Sequence, residues 1–315
     1  MKHPIGSIVG LTVSVSVSLV TTAFGSLVDI AYVPVGNPGN AADTRVGSGS
    51  LGFGAVNYAY NIGKYEVTNA QYCEFLKAKA STDTYALYNT GMAGRGIART
   101  GSSGSYNYSL TSGLENRPVV FVSWFDAARF TNWLGNGQGS GDTETGAYTL
   151  IGGQLAGAVT VNPNAKVYIP SVNEWYKAAY YNGDTATYSL YPNGQDTITI
   201  AEANCGGSSG VNHSTDVGSY SGDPSFYGTF DQGGNVAEWT AAVYGSLHGQ
   251  RGGDFSKPEQ LLASSISSVP TPGESIYAGF RVASLTAVPE PASLFSTLTL
   301  VSSGLLLRRR TKALR

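Results

Sequence analysis

The sequence predicts an α+β chain of irregular, loop-rich build, with about three helices and short antiparallel strands. Three observations point there. Three segments share one grammar for starting a helix, two short extended runs lie just ahead of two of them, and glycine is abundant while charge is scarce. The 315 residues include 41 glycines, nearly twice the ordinary share of ~7%, and only 13% are charged, about half the usual ~25%. A chain of this kind turns often and covers its surface with Tyr, Ser, Thr and Asn. Its 42% of hydrophobic residues is enough to bury a sizeable core.

The elements can be taken in order. The run 60–67 is extended and leads into Thr68-Asn69-Ala70-Gln71, a capping box: the Thr hydroxyl accepts from an orphan backbone N–H and the Gln three residues on reaches back. Tyr72, Phe75 and Leu76 then follow the i, i+3, i+4 spacing of one buried helix face. A second extended run, 118–122, precedes Ser123-Trp124-Phe125-Asp126, a close variant of the box, with Trp124, Ala127 and Ala128 on its buried face. The third box is Ser171-Val172-Asn173-Glu174, with Val172, Trp175, Tyr176 and Ala179 facing inward. Between these lie Gly/Ser/Thr/Asn stretches at 89–114, 135–165 and 182–229. Loops of that length in a compact domain are functional or tied down, and bound cations are one economical tie. No period of 20–50 residues repeats and no linker divides the core, so one domain is expected.

Both ends read as processing segments. Lys2 and His3 precede an apolar run over 5–20, and Ala23-Phe24-Gly25 suits a secretory cleavage site, so 1–25 is expected to be a signal peptide. The end of the chain, VPEPASLFSTLTLVSSGLLLRRRTKALR, has a Pro-Glu-Pro, an apolar run over 292–307 and an Arg cluster. Sixteen residues can form a short membrane-inserted helix with the basic cluster cytoplasmic. In its order of Val288-Pro289-Glu290-Pro291, hydrophobic helix and arginines, this tail (288–315) resembles the PEP-CTERM sorting signal of Gram-negative bacteria. The resemblance implies export, a transient inner-membrane anchor, recognition by an exosortase-type partner and release to the cell surface or extracellular matrix; a plain C-terminal anchor is the alternative. Without Lys2 and the five basic residues after 307 the 19 basic residues fall to 13, and without Glu290 the 21 acidic ones fall to 20, so the core 26–287 carries about −7. That balance disfavours nucleic acid as a partner.

The two cysteines, Cys73 and Cys205, fit no metal-ligand spacing. They are read as two isolated buried thiols, with a disulfide in an oxidising compartment as the alternative. The stretch DQGGNVAEWT, 231–240, sets Asp231 and Glu238 seven positions apart around two glycines and an asparagine. It admits an acid/base pair, a cation site, or a Gly-rich turn into a buried Trp239.

Six blocks in order, IGKYEVTNAQYCEFL (62–76), RPVVFVSWFDAARFTNWL (117–134), YIPSVNEWYKAAYY (168–181), GNVAEWT (234–240), RGGDF (251–255) and GFRVAS (279–284), resemble the formylglycine-generating enzyme or sulfatase-modifying factor family. The resemblance spans essentially the whole core and implies a C-type-lectin-like fold with structural calcium. Carried over by position, it implies a first calcium site at the Asp231 side chain, the carbonyls of Gly234 and Val236, and the Glu238 carboxylate. A second site would use the Asn204 side chain and the Cys205 carbonyl, with Asn212 and Asp216 as candidates for its other half.

The family's oxidase binds copper(I) through two cysteines five positions apart after the Arg-Gly-Gly block. Here those places fall on Lys257 and Leu262, the serine that follows the two glycines is Asp254, and the aromatic before Glu-Trp is Ala237. Copper is therefore not expected. The family's pocket would lie near Asp254, Lys257 and Trp239. Some relatives are associated with non-haem iron, but the core offers only His213 and His248. The reading that results is an exported, non-catalytic module with structural calcium that binds an extracellular glycan, peptide or matrix polymer. A divergent oxidase or non-haem metal enzyme acting on a protein side chain is the alternative.

Overall fold

A computed structural model describes residues 27–45, 52–206, 213–264 and 273–285. The expected signal peptide, the PEP-CTERM tail and Asn212 lie outside the described residues. Strand β1 (Tyr32–Val35) pairs antiparallel with β2 (Tyr60–Gly63), Tyr32 facing Gly63 and Val35 facing Tyr60. Helix α1 (Asn69–Lys79) follows, then the hairpin β3 (Ile97–Thr100) and β4 (Asn107–Leu110), and helices α2 (Trp124–Gly135) and α3 (Val172–Tyr180). After them come the two-residue pair β5 (Tyr181–Asn182) and β6 (Thr187–Tyr188), the longer β7 (Ala237–Tyr244) and β8 (Leu247–Arg251), and the short β9 (Ala278–Gly279) and β10 (Ala283–Ser284). The last strand returns to β2, so the order β1-β2-β10 joins the first and last described elements.

All three predicted helices form where the caps place them. Thr68, Ser123 and Ser171 each accept from the backbone N–H three residues on, and Gln71, Asp126 and Glu174 reach back to the cap's own N–H. Each such cap contributes about 1 kcal/mol. The predicted inward faces are buried except at Val172, which is half-buried in the first turn of α3.

The strands depart from expectation in two places. Only Tyr60–Gly63 of the run 60–67 is strand, and Pro118 contributes an isolated bridge to Thr68 rather than a strand over 118–122. Pro118 has no N–H to give, and Phe121 adopts φ 59°, so the ladder cannot continue. The sheet β8-β7-β9 also contains a parallel pair, β7 with β9. β8 carries the chain back along β7, so that β9 can run parallel to β7 on its other side.

The main core is aromatic, with Tyr72 and Phe75 of α1 against Phe130 and Trp133 of α2 and with Phe280. The loops are tied in part by buried side-chain amides. Asn132 donates to the carbonyls of Thr143 (2.8 Å) and Tyr148 (2.9 Å) and accepts from Tyr148 N (2.9 Å), which pins the 135–165 stretch to α2. Asn69 does the same for 89–114 through Arg95 O and Leu114 O. Among the described residues no helix is long and apolar enough to cross a membrane.

Candidate cation site in a buried carboxylate cluster

The loop 231–236 bends through two residues in the left-handed region, Asp231 (φ 61°) and Asn235 (φ 56°), and through Gly234 (φ 94°). A Cβ at Gly234 would sit 2.4 Å from the Asn204 carbonyl oxygen, so only glycine allows this approach. The Asn235 N–H donates to that same carbonyl (2.9 Å), and Gly234 N–H donates to Gly252 O (2.9 Å). The loop is thereby locked between the end of the 182–204 stretch and the Arg251-Gly252-Gly253 turn.

β7 then carries Glu238 into the interior, fully buried. Arg281 meets it with two 2.6 Å bonds, Nε to Oε2 and Nη2 to Oε1, and the Trp175 ring N–H donates to Oε2 at 2.7 Å. The other Arg281 donors reach the carbonyls of Gly63 (2.9 Å), Lys64 (3.2 Å) and Phe230 (2.8 Å). This is the fork geometry of a bidentate pair with every guanidinium N–H used. Burial opposes the Arg281 charge, but the Glu238 carboxylate more than offsets that and its pKa rises.

A third carboxylate joins these two. Glu66, between β2 and α1, is buried; its Oε1 accepts from Asn235 Nδ2 at 2.9 Å and its Oε2 has no protein partner. Asp231 accepts from Gly218 N–H at 2.6 Å. Burial, with the charges of Asp231 and Glu238 added, pushes the Glu66 carboxyl well above its ordinary range. Burial likewise pushes Asp231 up to about 6. Two carboxyls that hold their protons longer than usual, Glu66 and the half-buried Asp231, thus sit beside the Glu238–Arg281 ion pair.

Of the predicted first calcium set, Asp231, Gly234 and Val236 lie on this loop, while Glu238 is engaged by Arg281 and Trp175. Glu66 was missed. Its signal was an acidic residue between apolar neighbours in an extended run that should be buried, Tyr65-Glu66-Val67. The predicted second set is adjacent to the first: Asn204 Nδ2 donates to Asn235 Oδ1 (3.1 Å) and to His213 O (3.0 Å), and its own Oδ1 is buried without a partner. Asp216 lies half-exposed beside Arg117 (3.9 Å). Cys205 is a free thiol in a small second core with Leu262, and Cys73 is a free thiol of α1 in the main core. Burial raises both thiols to about 11.

Of the residues predicted near the family's pocket, Asp254 and Lys257 share one turn, the Lys257 N–H donating to Asp254 O at 2.9 Å. Trp239 is in the main core with its ring N–H on Val122 O (3.0 Å), and Asp254 is buried, accepting from Ser256 N–H (2.9 Å). Lys257 is exposed and Leu262 fully buried. Ala237 is buried at the start of β7. His213 contacts Arg117 (3.1 Å), whereas His248 stacks on Trp124 with ring centroids 3.5 Å apart, and burial lowers its pKa to about 4.

Comparison with known proteins gives two kinds of match. The family model described as "Sulfatase-modifying factor enzyme 1-like domain" matches residues 54–285. Among solved structures the chain resembles CarF, with TM-score 0.57, 23% identity, and 81% of this chain and 98% of that one covered. It also resembles variable protein 1 of Treponema denticola, with TM-score 0.53, 20% identity, and 82% and 96% covered. These two likenesses show a shared fold. No curated protein matches significantly.

Proposed function

The chain belongs to the sulfatase-modifying factor enzyme 1-like family, and from that premise we propose that it is an exported, non-catalytic binding module whose scaffold is stiffened by calcium. The observation that carries the non-catalytic reading is the pair of positions where the family's oxidase needs thiols. One is an exposed lysine, Lys257, and the other a core leucine, Leu262, while both cysteines of the chain lie buried in other blocks. Thiolate copper chemistry and disulfide exchange with a substrate cysteine have no residues to run on.

The calcium reading is supported by the buried cluster. Calcium takes six to eight oxygen ligands, and the cluster offers an unpartnered Glu66 Oε2, the Asp231 carboxylate and the carbonyls of Gly234 and Val236. Glu238, oriented by Arg281, stands behind them. A divalent ion would compensate the charges that Glu66 and Asp231 carry once ionised beside the Glu238–Arg281 ion pair. Its role would be to fix the 231–236 loop to β2 and α1, as a cross-link rather than a reagent.

Export through the 1–25 leader, sorting through the 288–315 tail by an exosortase-type partner, and release at a Gram-negative cell surface complete the proposal. The ligand is an extracellular glycan, peptide or matrix polymer. The deciding experiment incubates the purified protein with a Cys-containing sulfatase peptide, copper and oxygen. No aldehyde above background is expected, and aldehyde at a turnover rate would establish the rival reading of a divergent oxidase. For the location, fractionating cells that express the intact chain or one ending at 287 should show surface release only of the intact chain.

A further inference from the structure

We propose that the cleft where the 161–165 loop, the start of α3 and the last described residues meet is a binding site for a quaternary ammonium group. The cleft has a volume of about 260 Å³ and is walled by Tyr58, Val161, Pro163, Tyr168 and Leu285, with Glu174 at its base. Its surface is mainly carbon, and two of its walls stand open: Tyr58 and Leu285 are each 47% exposed. Among the described residues Glu174 is the only charged side chain lining it.

The hydrogen bonding of Glu174 selects the ligand class. Its Oε1 accepts from the Tyr168 hydroxyl (2.6 Å) and from the Tyr58 hydroxyl (3.4 Å), and its Oε2 accepts from Ser171 N–H (2.8 Å). The capping role accounts for Oε2. It does not account for two tyrosines converging on Oε1 from the sides of an open cleft. A sugar or a primary ammonium would arrive with several donors that need acceptors; the carboxylate oxygens are already engaged, and the other polar side chains of the described lining are only Ser171, Asn164 and Asn162, whose amide N–H groups are spent on Gly146 O and Thr149. A quaternary ammonium brings charge with no N–H to satisfy, and its methyl groups match a carbon-lined wall. Tyrosine hydroxyls that donate to a carboxylate leave their rings more electron-rich, which favours a cation resting against them. Among the described residues no lysine, arginine or histidine lines the cleft to compete for that position.

The inference goes beyond the scaffold reading, because it needs neither calcium nor the absence of catalysis. Choline chloride is the probe, titrated into the full protein by calorimetry and by line broadening of its methyl resonance. Choline should bind, and its neutral isostere 3,3-dimethylbutan-1-ol should bind about tenfold more weakly or less. Tyr58→Ala and Glu174→Gln should each weaken choline by about tenfold. Glu174→Gln keeps a side chain that can cap α3, and Tyr58→Ala alters a surface residue, so at least one variant stays folded. Sedimentation with phosphatidylcholine vesicles, with free choline as competitor, distinguishes a lipid headgroup from a soluble ligand, since only a headgroup gives co-sedimentation that choline releases. Equal binding of the isostere, binding unchanged in Tyr58→Ala, or no choline binding up to about 100 mM would each overturn the assignment. None of these outcomes alters calcium-dependent melting, so this proposal and the scaffold proposal fail separately.

Discussion

Replacing Asp231 by Asn is the most direct probe of the charge account of the buried cluster, because Asn keeps an oxygen for Gly218 N–H and removes only the ionisation. Burial raises the Asp231 carboxyl from 3.8 to about 6. At 1.36 kcal/mol per pH unit that shift corresponds to roughly 3 kcal/mol. The sign follows from linkage. A folded-state pKa above the unfolded one means that the folded state holds its proton longer, so the contribution is fully present below pH 3.8 and is lost as pH rises through 6. Metal-free wild type should therefore lose about 3 kcal/mol between pH 4 and 7 from this group, with Glu66 adding in the same direction. Metal-free Asp231→Asn should lose less over the same interval and be the more stable protein at pH 7. Calcium should close most of that gap: at about 100 times its dissociation constant it stabilises wild type by roughly 2.7 kcal/mol and should do little for the variant. Urea melts of both proteins at pH 4.5 to 7.5, in chelator and in millimolar calcium, measure all four quantities. A pH dependence identical in the two metal-free proteins would refute the charge account, and equal melting of wild type with and without calcium would refute the ion.

Three further outcomes are expected. Arg281→Met leaves Glu238 buried without its counter-charge and should cost about 3–5 kcal/mol, read as loss of soluble protein or a lowered urea midpoint. Asn132→Ala removes the amide that pins the 135–165 stretch at Thr143 and Tyr148 through three bonds; limited proteolysis should then cut within that stretch while α1 and α3 stay intact. A thiol reagent at pH 8 should find neither Cys73 nor Cys205 accessible in the native protein and both free after denaturation, because both are buried, unpaired and raised to about 11; a single disulfide would leave none.

What the sequence disclosed was local. The caps at Thr68, Ser123 and Ser171 could be read because both partners of each bond lie within four residues, and the buried Trp239 because it follows a Gly-rich turn into a strand. What it concealed was contact at long range. Glu66 bonds Asn235 across 169 residues, and Asn235 joins the two predicted calcium sets through Asn204, which no spacing rule expresses. Arg281 sat in a quoted block, yet its partner Glu238 lies 43 residues upstream. The run 118–122 looked like a strand from its apolar residues, but the missing Pro118 N–H and the φ of Phe121 decided otherwise. The cleft floor at Glu174 was hidden because a capping glutamate looks complete from its own helix.

Arg281 also has a bearing on when this chain can fold. Its guanidinium bonds the Gly63 carbonyl across 218 residues, and β10 immediately after it closes the sheet on β2. The first strand pair therefore waits for almost the last described residues before its edge is covered. At roughly 5–20 residues per second of synthesis, that wait is on the order of ten to forty seconds, during which the second edge of β2 stays unpaired, whereas Glu238, 43 residues before Arg281, waits roughly two to nine seconds for its counter-ion. A chain truncated before residue 281 lacks its latch.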